Sequence, residues 1–98
     1  MSVALLWNDV ESQKARVPAH VVTRAMATET VLLNIESGEY FAVDAVGGRF
    51  LEVLDRAESV SDATRALAAE YDQALERIRE DLLVFLGALR ARGLVELA

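Results

Sequence analysis

Few residues in this chain could do covalent chemistry. Cysteine is absent, which excludes thiolate nucleophiles, disulfides and sulfur-ligated metals. His20 is the single histidine, too few for a zinc site or a histidine-based catalytic array. It precedes an extended stretch and reads as an edge residue. Gly47-Gly48 lacks both the spacing and the lysine of a phosphate loop. The acidic residues are spread over helix surfaces, and no hydroxyl has a recognisable base beside it. No catalytic residue, metal or cofactor is therefore expected. What remains is the chemistry of the main chain itself. Glu39, Tyr40, Phe41, Ala42 and Val43 form the last extended run before the pattern turns helical. A strand that ends a sheet leaves one row of amides and carbonyls unpaired, ready to take another extended chain.

The surrounding elements must position that edge. Val31, Leu33 and Ile35 alternate with Leu32 and Asn34, the period-two pattern of a half-buried strand. Glu36-Ser37-Gly38 interrupts it, and Gly38 can take the positive φ of a hairpin turn. Val21, Val22 and Thr23 mark an earlier strand, with Pro18 tolerated near its start. Three antiparallel strands are expected, over residues 17–25, 30–35 and 39–43. Asp44 is placed to cap the first helix, residues 45–56. Glycine is costly inside a helix, so Gly47-Gly48 predicts close backbone approach to a neighbour or a loosened first turn. Ser59 caps a second helix with a buried stripe of Val60, Ala63, Leu67 and Tyr71. The third helix, residues 74–92, carries Leu75, Ile78, Leu82, Phe85, Leu86 and Leu89 on one face. Gly93 stops it, with Leu94 folding back on Leu89. Val95 and Leu97 follow as an extended tail. The expected core is Leu33, Phe50, Leu54, Leu67, Ile78, Leu82, Phe85 and Leu89. Strands followed by helices make an α+β domain.

Ninety-eight residues fit one domain. A hydrophobic fraction of 53% fills a core and leaves apolar surface for a partner. The net charge of −6 argues against general nucleic-acid binding, which relies on basic neutralisation of phosphates. No apolar run is long enough to span a bilayer, and the amino-terminal stretch lacks the basic start of a signal peptide. A cytoplasmic location is expected. Residues 1–16 read as an arm: an apolar piece, residues 3–7, then a polar one. The apolar piece either packs back on its own domain or bridges two copies in a homodimer.

With these elements in place, residues 17–97 resemble the PqqD-like family of peptide chaperones and precursor-recognition domains. The resemblance rests on Glu29-Thr30-Val31-Leu32-Leu33-Asn34, Gly38-Glu39-Tyr40-Phe41, Val46-Gly47 with Phe50-Leu51, and Val60 with Leu67 and Tyr71. It continues in Asp81-Leu82, Phe85-Leu86, Leu89 and Gly93-Leu94-Val95. The resemblance implies a winged-helix-like module, residues 17–98, that is not an enzyme. Such a module grips the leader of a ribosomally made precursor peptide. A modifying enzyme then acts on the core segment: a radical S-adenosylmethionine protein, a cyclase or a leader peptidase. The leader would add beside Glu39, Tyr40, Phe41, Ala42 and Val43. Arg77, Ile78, Asp81, Leu82 and Phe85 of the third helix would wall the cleft. The helical wheel alone leaves either flank of that helix open. An acidic residue in the family at the place matching Asp81 points to its flank, while a surface pair with Arg77 is the competing role for that carboxylate. Ala74 stands where a capping residue is expected, so Asp72 becomes the candidate cap. A winged-helix DNA-binding regulator has a similar element order, but it needs a basic recognition face. Here Arg65, Arg77, Arg79 and Arg90 are mixed with Glu70, Glu76, Glu80 and Asp81. A pure dimerisation module is the third reading.

Overall fold

The computed structural model describes residues 5–98. The expected arm, residues 1–16, therefore falls partly outside the described residues, at positions 1–4. Four strands precede or flank three long helices in the order α1 (Trp7–Val10), β1 (Ala15–Arg16), β2 (Val21–Ala25), β3 (Glu29–Asn34), β4 (Tyr40–Asp44), α2 (Ala45–Arg56), α3 (Val60–Tyr71) and α4 (Leu75–Ala91), and a fifth strand, β5 (Glu96–Leu97), follows them. An antiparallel sheet of order β2-β3-β4 is joined by a separate two-stranded ribbon, β1-β5. The α+β architecture is as expected. The expected extended tail supplies β5, but its pairing with β1 was not anticipated, because two-residue strands carry no readable period.

The hairpin between β3 and β4 keeps strict register, Leu33 opposite Tyr40 through Glu29 opposite Asp44. A five-residue loop joins them, with Gly38 at φ 78°. The helix starts follow the sequence. The Asp44 carboxylate accepts the Gly47 amide at 2.8 Å, and the Ser59 hydroxyl accepts the Asp62 amide at 3.0 Å. Asp72 does not cap α4. It takes the left-handed conformation that closes α3, and α4 begins at Leu75, with Ala74 in the cap position offering no side-chain bond. At the other end, the Leu94 amide reaches the Leu89 carbonyl at 2.9 Å and Leu94 is buried.

Two expected core positions are corrected. Leu33 is 38% exposed, while Leu32 is fully enclosed. In β3 it is Thr30, Leu32 and Asn34 that face the helices, so the buried phase is the opposite one. An alternating run of aliphatics fits either phase, and only the packing of α2 decides. Leu33 joins Val22 and Tyr40 on an exposed outer face of the sheet. Phe85 is half-buried and packs on Phe50 at the margin of the core, with ring centroids 5.6 Å apart. Leu75, placed on the apolar face by its spacing, is exposed at the start of α4. Phe50, Leu54, Leu67, Ile78, Leu82 and Leu89 are core, as expected.

The described part of the amino-terminal stretch packs on the domain. Val10 is buried. The Glu11 and Gln13 carbonyls accept the Ser61 and Val60 amides at the start of α3. The Lys14 ammonium donates to the Leu54, Asp55 and Ala57 carbonyls at 2.9, 2.5 and 2.6 Å, neutralising the negative end of α2.

Candidate functional site

β4 is an edge strand with no second neighbour among the described residues. The Asn34 amide donates to the Glu39 carbonyl at 2.8 Å. That fixes the alternation of an antiparallel ladder, in which every second residue bonds to its partner strand. Phe41 and Val43 therefore turn their main-chain groups toward β3. Tyr40, Ala42 and Asp44 turn theirs outward, away from the sheet. The side chains take the complementary arrangement. Val43 is buried and Phe41 half-buried on the helix side, while Tyr40 and Ala42 are exposed on the outer face.

Beside this edge runs a groove of about 590 Å³ between β4 and α4. Its helical wall is Asp81, Val84, Phe85 and Ala88, which share one face at spacings of three and four residues. Phe50 and Gly47 form the inner end, with Val46 at the rim. Gly47 is required by close approach: a Cβ there would lie 2.8 Å from the Val43 Cβ and 3.1 Å from the Phe85 ring. This glycine lets α2 press on β4 and sets the width of the groove. Val84 is the most exposed large aliphatic side chain described, at 75%. An apolar residue so placed has nothing of its own domain to cover it.

The lining is mostly apolar, and its charges sit at the rim. The Arg92 guanidinium lies 4.7 Å above the Phe41 ring, a cation–π contact at one end. Asp44 and Asp81 border the groove elsewhere. Asp81 is 3.7 Å from the Arg77 guanidinium in a half-exposed pair, so the competing role for Asp81 is present together with its place on the rim. Exposed pairs of this kind are weak, and another cation can displace Arg77. Among the described residues no three His, Cys, Asp or Glu side chains gather to hold a metal ion. His20 stands away from the groove, its Nε2 3.2 Å from the Gly93 carbonyl. Apolar walls beside an open strand edge can hold an extended chain, with main-chain bonds at Tyr40, Ala42 and Asp44.

Of the residues singled out from sequence, Phe41, Ala42, Val43, Asp81 and Phe85 line the groove. Tyr40 contributes its outward main chain, and its side chain points to the opposite face. Glu39 lies at the turn, and Arg77 lies one helical turn beyond the wall. Ile78 and Leu82 do not line the groove: they are 3% and 0% exposed and belong to the core. They mark the centre of the apolar stripe of α4, whereas the wall is built from its flank. Ala88 shares the Asp81 flank, whereas Asp44, Val46, Gly47, Phe50 and Val84 were not anticipated in the groove. The spacing of Val84 and Ala88 from Asp81 was a usable signal.

The sequence matches the family model described as coenzyme PQQ synthesis protein D over residues 29–95. Among solved structures it is similar to TbiB1 in complex with the TbiA(beta) leader peptide. That match has a TM-score of 0.76 and 33% identity, covering 83% of this chain and 94% of the other. A lasso peptide synthetase B1 complexed with the leader peptide shares the fold, with a TM-score of 0.75, 20% identity, and coverage of 85% and 98%. No curated protein matches significantly.

Proposed function

The chain belongs to the PqqD family, and from that premise we propose that it binds the leader of a ribosomally made precursor peptide and presents it to a modifying enzyme. The leader adds as a strand beside β4, between that edge and the α4 wall. One observation carries the reading: an unpaired strand edge opens onto an apolar groove, in a chain 33% identical to a protein whose structure holds a leader peptide. Main-chain pairing supplies affinity that tolerates sequence change, and the side-chain groove supplies selection. The protein does no catalysis itself. The enzyme it serves is a radical S-adenosylmethionine protein, a cyclase or a leader peptidase, acting on the segment beyond the groove. The DNA-binding alternative lacks support, because Arg49, Arg65 and Arg77 all stand against carboxylates and offer no basic face.

The test is a titration of the isotope-labelled chain with its cognate leader. Amide shifts are expected at Tyr40, Ala42 and Asp44 and along the α4 wall. Ala42→Pro removes an amide that faces outward, so the ladder to β3 keeps its bonds while the leader loses one of its own. Circular dichroism checks that the variant folds. Asp81→Asn should weaken binding by about 1.5 kcal/mol, the low end for a charged hydrogen bond because this carboxylate is half exposed. Shifts gathered on α3, with residues 39–44 untouched, would rule the strand-addition model out.

A further inference from the structure

The opposite margin of the sheet offers a second place for an extended chain. β2 is the other edge strand. The Met26 amide donates to the Glu29 carbonyl at 2.7 Å, and by the same alternation Thr23 and Ala25 turn their main-chain groups outward. Their side chains lie on the helix face of the sheet, opposite Leu32 and Thr30, yet both residues are exposed because α2 does not reach over them. The space left is a groove of about 290 Å³ between β2 and α2. Its floor is Thr23, Ala25 and Thr30, and its wall is Leu51, Glu52 and Asp55.

Two further features point to an occupant. Thr30 is only 8% exposed and lines this groove. Its hydroxyl takes part in none of the side-chain hydrogen bonds among the described residues. The hydroxyl still meets solvent, since the only enclosed side-chain polar atom without a partner among the described residues is Arg79 Nε, and it is therefore free to bond to an added chain. The charge of the wall is also of one sign. Glu52 shares Arg49 with Glu70, and Asp55 has no salt-bridge partner among the described residues.

We propose that β2 and α2 form a second peptide site, which takes an extended basic segment of a partner protein. Such a segment would pair with the main chain of Thr23 and Ala25. Its alternate side chains would point at the α2 wall. Lysine or arginine at those positions lays its stem on Leu51 and its charge against Asp55 and Glu52. Three strands separate the two margins, so chains added at β4 and at β2 stand roughly 20 Å apart at the usual strand spacing. Both can be held at once, and the site does not depend on what β4 binds.

The probe is a capped hexapeptide, Lys-Thr-Lys-Val-Lys-Thr, with a counterpart in which each Lys is replaced by Glu, titrated into the isotope-labelled full chain. The lysine peptide should shift amides in β2 and on the facing turn of α2, and added salt should weaken it. Combining Asp55→Asn with Glu52→Gln should weaken it about tenfold, the effect of one lost charge-assisted hydrogen bond. Thr23→Pro, which removes an outward amide, should weaken it as well. The carboxylate pair stands as the decisive variant should Thr23→Pro unfold the chain. The proposal is overturned by shifts confined to the β4 groove, by an equal response to the glutamate peptide, or by no response at millimolar peptide. It is equally overturned by a sedimenting dimer that Thr23→Pro converts to monomer, since a second copy would then be the occupant.

Discussion

At the scale of single residues, the neighbours Leu32 and Leu33 separate what the chain's pattern can tell from what it cannot. Leu32 is fully enclosed and Leu33 is 38% exposed. Leu32→Ala should cost about 2–5 kcal/mol, the range for a buried leucine. Leu33→Ala should cost less than about 1 kcal/mol, as at ordinary surface positions. Urea denaturation of the two variants measures the difference directly. That β3 is a strand was legible from its alternation, but the buried phase was not, because both sets of positions carry aliphatics. The same ambiguity hid part of the groove. Val84 reads as one more apolar residue of a helix, and its exposure emerges only when α4 meets β4. Gly47 was legible as a point of close approach, since its cost inside a helix requires a reason.

At the scale of elements, α2 and α3 are tied at their solvent side by Arg49. Its guanidinium donates to both oxygens of Glu70 and to Glu52. These bonds hold the Glu70 carboxyl below its ordinary value. A depressed carboxyl contributes stability above its unfolded value, about pH 4.3, and loses it as the pH falls through the lower folded value. Arg49→Met should therefore flatten the pH dependence of the melting temperature in that acid window. It should do so only modestly, because the pair is exposed. The boundaries of α2 and the cap of α3 followed from Asp44, Ser59 and their spacing. The cap of α4 did not, because Ala74 offers no side chain for the role and Asp72 closes α3 instead. The third helix was the easiest element to recognise, yet Ile78 and Leu82 drew attention to the centre of its stripe. The residues that meet the groove lie on its flank, where apolar and charged side chains mix.

At the scale of the whole molecule, the β1-β5 ribbon joins the two ends of the chain. Lys14 and Ala98 exchange amide bonds at 2.8 and 3.0 Å, and Ala15 pairs with Leu97. Deleting residues 96–98 should release β1 and lower the melting temperature by about 5 °C, the shift expected for roughly 1 kcal/mol in a domain this small. Leader affinity at β4 should be unchanged, because the ribbon touches neither wall of that groove. Both quantities can be read from one thermal scan and one titration. The extended tail was legible in the sequence, but its pairing was not, because both partners are two residues long and far apart along the chain. That separation also sets an order of events. Contacts between distant positions close the largest loop and carry the greatest entropic delay. During synthesis the β3–β4 hairpin can form early, while Lys14 and Ala15 must wait until Glu96, Leu97 and Ala98 have left the ribosome. Until then the nascent domain has its β4 edge complete and β1 unmatched, so a chaperone or a stray strand has its best opportunity before residues 96–98 emerge.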